Sequence, residues 1–215
     1  MIGIFDSGVG GCVSLAELRA INGEVDIVYL ADYKNAPYGT KGEGELVPII
    51  SENIERLLSL GCERVLIACC TASAMHRLLP EKIREKSVPI IPYAVEEIRR
   101  LRARRVTLIA TERSVKAGAF AEISGFAHLT AISAQPLVGI VERGEWDNPY
   151  IDSLISEINK TRPDALVLGC THFSHLSKRF CSEMPRVKII SPANLGAKAF
   201  AEGIGYAGYG ITEYI

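Results

Sequence analysis

Val65-Leu66-Ile67-Ala68-Cys69-Cys70-Thr71-Ala72 reads as an apolar strand that ends in cysteine and then runs into Thr and a helix-like segment. The second half echoes it with Leu166-Val167-Leu168-Gly169-Cys170-Thr171-His172. A strand that ends in Cys delivers its thiol to the carboxyl edge of a sheet, where open α/β proteins hold their ligands. The helix start that follows turns backbone N–H groups and a dipole toward the sulfur, which predicts a thiolate-favouring site. Two such thiols facing one pocket from opposite sides can remove a proton from one face of a carbon and return one to the other, as a racemisation requires.

Outward from these strings, short apolar runs alternate with helix-period segments. Strands are predicted at 2–5, 26–31, 64–68, 88–91, 105–110, 129–133, 165–168 and 187–190. Helices are predicted at 13–21, 44–60, 94–103, 115–122, 150–160, 174–181 and 193–201. Gly61 follows Leu60 as a helix C′ residue, and Ser191-Pro192 reads as an N-cap with Pro at the first helical position. The alternation implies parallel sheets wrapped by helices. A new βαβ series begins near residues 91–93. The expected fold is therefore α/β, with two similar lobes, each a mostly parallel sheet flanked by helices, and the active site in the cleft between them. The lobes are expected at 1–92 plus 191–215, and at 93–190, with the final helix returning to the first.

Composition narrows the function. The 215 residues carry a net charge of −1, so no overall field draws the chain to nucleic acid or an anionic membrane. No apolar run approaches the ~18 residues of a membrane span, and the opening strand lacks the basic flank of a signal peptide, so a cytoplasmic location is expected. The run Arg99-Arg100-Leu101-Arg102-Ala103-Arg104-Arg105 reads as a solvated helix end, with Glu96 and Glu97 before it and arginines placed to suit the dipole. A reducing compartment makes each of the six cysteines a small buried hydrophobe or a reactive thiol. No C-x-x-C or H-x₃₋₅-H spacing occurs, so no metal site is expected. Cys12, Cys62 and Cys181 lack the strand-Cys-Thr setting and read as core or surface residues, and the single tryptophan, Trp146, reads as a packing residue near the cleft.

Two loops complete the set. Phe5-Asp6-Ser7-Gly8-Val9-Gly10-Gly11 follows the first strand and lacks the G-x-G-x-x-G of a dinucleotide site; its Asp-Ser can orient an ammonium group or a thiol. Asn35-Ala36-Pro37-Tyr38-Gly39-Thr40-Lys41 is a polar turn after the second strand whose N–H groups can reach a carboxylate.

At these residues the chain resembles glutamate racemase, in the aspartate/glutamate racemase superfamily. The strings that carry the resemblance are Ile4-Phe5-Asp6-Ser7-Gly8-Val9-Gly10-Gly11, Pro37-Tyr38-Gly39, Ala68-Cys69-Cys70-Thr71-Ala72 and Leu168-Gly169-Cys170-Thr171-His172-Phe173, in the family's order. The resemblance implies a cofactor-independent, two-base proton transfer at Cα of glutamate that supplies D-glutamate for peptidoglycan, in a homodimer. It implies Cys69 and Cys170 as the two bases, Asp6 as partner of Cys69, His172 as partner of Cys170, and Glu142 as a further acidic group near the second cysteine. Ser7, Pro37, Tyr38, Gly39, Cys70, Thr71, Thr111, Ser114 and Thr171 are implied as substrate contacts. Departures are equally specific. Cys70 stands where the family has Asn, Ser114 where a Thr is usual, and Ser191-Pro192 where Asp-Ser is usual; the chain is also shorter than most members. Alternatives are a racemase or isomerase of another acidic amino acid or small carboxylate, and a non-catalytic homologue that binds a ligand or partner.

Overall fold

The computed structural model describes residues 1–205 and 208–215, so residues 206 and 207 of the segment expected to rejoin the first lobe lie outside the described residues. Among the described residues there are nine strands: β1 (Ile2–Asp6), β2 (Ile27–Ala31), β3 (Val65–Ile67), β4 (Ser87–Pro89), β5 (Arg105–Ala110), β6 (His128–Ser133), β7 (Ala165–Gly169), β8 (Lys188–Ile190) and β9 (Thr212–Tyr214). They form two sheets, ordered β4-β3-β1-β2-β9 and β6-β5-β7-β8. Every pairing is parallel. Parallel strands are covered on both faces, which is why β1, β3 and β7 read as unbroken apolar runs and are buried along their whole length.

Each sheet separates two apolar layers. On one face of the first sheet, Leu15 and Leu18 of the helix Cys12–Ile21 and Ala197 and Phe200 of the helix Pro192–Glu202 pack on Ile2, Ile4 and Leu66. On the other, Ile50, Ile54 and Leu57 of the helix Glu43–Ser59 cover Phe5, Val28 and Val65. In the second sheet, Ala94, Val95 and Ile98 of the helix Ile91–Leu101 cover Val106 and Leu108. The helices Gln135–Glu142 and Pro149–Lys160 cover Ile109, Leu166 and Leu168 on its other face.

The α/β expectation with two parallel sheets holds, and several local expectations need correction. Pro92 sits in the first turn of its helix, which therefore starts at Ile91 and cuts short the strand expected at 88–91. The helix expected at 115–122 is instead Glu112–Lys116, capped by the Thr111 hydroxyl and followed by Gly118 at φ +61. The segment expected at 174–181 opens as a 3₁₀ turn, Thr171–Leu176, before the helix Ser177–Glu183. The helices Cys70–Met75 and Glu81–Arg84 are short, and β9 exists because Arg19 ties the tail to the edge of β2 by bonding the carbonyls of Val25 and Ile211.

Ser191 does cap the last helix, accepting the Asn194 N–H at 3.3 Å, and Ser14 Oγ donates to Ala193 O at 3.0 Å to dock that helix on the first lobe. Three arginines of the basic run form exposed ion pairs: Arg99 with Glu96 and Glu122, Arg100 with Glu97, and Arg105 with Asp164. Among the described residues no helix is long and apolar enough to cross a membrane.

Candidate active site

A narrow cavity of about 30 Å³ lies where the carboxyl ends of both sheets meet, and both cysteine strings line it. Cys69 follows β3 and caps the helix Cys70–Met75; Cys170 follows β7. Both thiols are buried.

Cys69 Sγ lies 3.5 Å from Ser7 Oγ. Asp6 is fully buried at the end of β1, yet its carboxylate does not pair with Cys69 as the resemblance implied. Its Oδ1 accepts the Gly8 N–H at 2.9 Å, and its Oδ2 accepts the Thr171 hydroxyl at 3.2 Å. Burial pushes the Asp6 carboxyl up to about 7, against the opposing pull of those hydrogen bonds.

Cys170 Sγ lies 3.6 Å from His172 Nδ1, and His172 Nε2 lies 3.1 Å from Glu142 Oε1. Burial lowers the His172 pKa, with Glu142 acting the other way. In the neutral ring, Nε2–H donates to the carboxylate, which leaves the Nδ1 lone pair facing the thiol.

Backbone N–H groups favour both thiolates as expected, those of Ala72 and Ser7 at Cys69 and of His172 and Phe173 at Cys170, but burial works against them. Burial pushes the Cys69 thiol up to about 11, and the charge of Asp6 adds to the rise. Cys170 is raised further, again by burial first and then by Cys69. At both cysteines desolvation outweighs the hydrogen bonds that favour the thiolate.

The rest of the wall comes from four more strand ends or loops. Thr71, Thr111 and Thr171 line the cavity, as do Cys70, Pro37, Tyr38 and Gly39. Ser114 does not: it is fully buried behind the wall, where its hydroxyl braces Thr111 at 3.0 Å and Thr71 at 3.3 Å. The Tyr38 hydroxyl is also committed elsewhere, donating to Asp32 Oδ2 at 2.6 Å. Asp32 accepts from Asn35 and Asn53 as well, and this clamp sets the loop that presents residues 36–39 to the cavity. Although burial opposes it, those donors hold the Asp32 carboxyl below the usual carboxylate range. Gly10 allows the close approach of the first-lobe loop: a β-carbon there would lie 2.3 Å from Thr171 Oγ1 and 2.8 Å from His172 Nδ1.

Three lining residues escaped the sequence reading: Ala36, Gln135 and Val138. Gln135 and Val138 lie on the unforeseen helix Gln135–Glu142, at i and i+3 of one face, with Glu142 at i+7. Trp146 is not a packing residue; it is exposed and outside the cavity wall. Among the described residues no group of three His, Cys, Asp or Glu side chains is arranged to hold a metal ion.

Two parallel α/β sheets that each contribute a cysteine to one shared, buried cleft define a narrow class of protein. A family model described as Asp/Glu/Hydantoin racemase matches residues 13–200. A glutamate racemase of Desulforudis audaxviator is 33% identical, over 92% of this chain and 77% of that one. The solved glutamate racemase from Campylobacter jejuni superposes with a TM-score of 0.86 at 25% identity, covering 100% of this chain and 91% of that chain. The Thermus thermophilus glutamate racemase, solved in complex with β-chloro-D-alanine, gives 0.83 at 28% identity, with coverage of 99% and 86%. The chain belongs to the Asp/Glu/hydantoin racemase family.

Proposed function

We propose that this protein is a glutamate racemase that interconverts L- and D-glutamate by proton transfer between two cysteines. The observation that carries this reading is the pair of buried thiols, one from each sheet, on one narrow cavity, each with its own polar neighbour: Ser7 for Cys69, and the His172–Glu142 relay for Cys170. Cys69 as thiolate removes the α-proton from one enantiomer, and the Cys170 thiol protonates the opposite face of the carbanion. The reverse reaction exchanges the two roles. A raised thiol pKa fits this chemistry, because a more basic thiolate is a stronger base toward a weakly acidic C–H. The substrate's ammonium group, brought next to the sulfur, favours the thiolate when it is needed.

His172 Nδ1 accepts the Cys170 proton when that sulfur must act as base, and Glu142 stabilises the imidazolium that forms. Asp6, fully buried behind the wall, holds the Thr171 hydroxyl in place and so acts on the substrate through Thr171. The hydroxyls of Thr71, Thr111 and Thr171 and the backbone of residues 37–39 meet the carboxylates, while Ser114 acts through Thr71 and Thr111. Glutamate binds between the two lobes, where both cysteines line the same cavity. We take those lobes as 1–92 plus 191–215, and 93–190. The product serves peptidoglycan synthesis in the cytoplasm, and the enzyme works as a homodimer without a cofactor.

Cys70 in place of an amide favours a second reading, a racemase of another acidic amino acid or small carboxylate. A lost hydrogen bond to a buried group costs about 1–3 kcal/mol, which slows turnover without removing either base. The deciding experiment incubates the protein with L-glutamate, D-glutamate and L-aspartate separately in D₂O and follows Cα–H loss by NMR and enantiomer content by chiral chromatography. Exchange with inversion for glutamate, abolished in Cys69→Ala and in Cys170→Ala, is the expected result. Folded, reduced protein that exchanges none of the three sinks the glutamate assignment.

A further inference from the structure

The helix Gln135–Glu142 lays one face along the cavity: Gln135 at its start, Val138 in the middle and Glu142 at its end all belong to the wall. Glu142 reaches Cys170 through the His172 ring, so the C-terminal end of this helix marks the reacting carbon. Seven residue steps separate Gln135 from Glu142, about 10 Å along the axis. Whatever part of a bound amino acid lies by Gln135 is therefore the part farthest from the carbon that loses its proton.

The chemistry of that end is unusually well defined. Gln135 Oε1 accepts the backbone N–H of Glu112 at 3.3 Å, which fixes which way the amide faces. A β-carbon at Gly39 would lie 2.5 Å from the same oxygen and 2.9 Å from Thr111 Cβ, so the amide is pressed between Gly39 and the Thr111 cap. With the oxygen engaged, both N–H donors of Nε2 remain, and among the described residues neither has a hydrogen-bond partner. An apolar Val138 separates this donor from the acidic Glu142 end. Donor, apolar spacer and reacting end follow the order of a terminal carboxylate, methylenes and Cα.

We infer that Gln135 is a specificity-determining residue: its Nε2 donates to the carboxylate on the substrate's side chain and so selects an anionic, glutamate-length chain. The inference rests on the racemase reading of the same cavity. It also gives the site a primary amide, although position 70 holds a thiol where the family carries one. The amide now stands at the side-chain end of the substrate.

Two variants test this. Gln135→Met keeps the length and removes both donors; Gln135→Glu keeps the acceptor for Glu112 and places a charge against the substrate carboxylate. Binding of D-glutamate, D-glutamine and D-aspartate is measured by titration calorimetry, which needs no turnover, beside kcat and KM for racemisation and a thermal melt of each variant. Loss of a hydrogen bond to a charged group predicts at least ~10-fold weaker D-glutamate binding for the Met variant, seen in KM more than in kcat. D-glutamine, already neutral, changes far less, and the Glu variant reverses the order so that glutamine binds better than glutamate. A Met variant that folds and binds glutamate as tightly as the parent, with the same glutamate-to-glutamine ratio, overturns the inference. Should the parent bind glutamate in this pattern yet not racemise it, the assignment to Gln135 stands and the activity falls. Should the parent bind none of the three ligands, both fall.

Discussion

Thr171, just beyond β7, donates its hydroxyl to Asp6 Oδ2 at 3.2 Å and so joins the carboxyl ends of the inner strands of both sheets. The acceptor is a fully buried carboxyl, and the bond crosses from one lobe to the other. The junction between the two sheets and the ionisation of Asp6 are therefore linked.

That linkage has a defined sign. Asp6 is raised from 3.8 to about 7, chiefly by burial, so the folded protein keeps this proton over a range where the unfolded chain has lost it. The stabilising contribution is complete below about pH 4 and disappears as pH rises through about 7, a total of roughly 4 kcal/mol. Urea titrations of the parent and of Asp6→Asn from about pH 4 to about pH 8 should show the parent losing stability relative to the variant across that interval. A constant difference between the two curves refutes the assignment.

Gly10 predicts a defect in turnover that exceeds the defect in stability. A methyl group at Gly10 meets Thr171 Oγ1 and His172 Nδ1 at 2.3 and 2.8 Å, so it displaces the hydroxyl that joins the lobes and the ring that faces the Cys170 thiol. Gly10→Ala should lose about 1–3 kcal/mol of stability by overpacking. Misplacing the reacting groups by an ångström costs about 100-fold in rate. Parent-level kcat in this variant would show that the first-lobe loop does not control the thiols.

The thiols themselves should be slow toward alkylation. Cys181 is exposed, whereas Cys69 is buried and raised to about 11, and Cys170 is raised further. With iodoacetamide and peptide mass spectrometry, Cys181 should be modified first near neutral pH. Cys69 labelling should climb about tenfold per pH unit as its thiolate fraction grows. Equal labelling of Cys69 and Cys181 at neutral pH contradicts the burial described above.

What could be read from the chain follows from how local each signal is. The strings around Cys69 and Cys170 announce strand, thiol and turn within a few residues, so both sheets and both sulfurs were legible. The bond from Thr171 to Asp6 joins residues far apart in the chain, and no local pattern encodes it. The raised thiols were not legible because a sequence displays a helix start but not the desolvation that outweighs it. Gln135 escaped because Gln-Pro-Leu-Val-Gly-Ile-Val-Glu begins without a side-chain cap, and its apolar centre fits a buried strand as well as a helix. β9 was hidden for another reason: three residues make a strand only where β2 and Arg19 wait to receive them.

The path of the chain through its sheets also dictates the order in which they can be completed during synthesis. The second sheet draws its four strands from one uninterrupted stretch, residues 105–190, and can close once that stretch has left the ribosome. The first sheet has β1 at its centre but takes its outer strand from Thr212–Tyr214 and one covering helix from Pro192–Glu202. Cys69 thus belongs to the sheet whose strands are drawn from both ends of the chain, and Cys170 to the one that a single stretch completes. Amide protection during refolding should accordingly appear in β5 and β7 before β1 and β2.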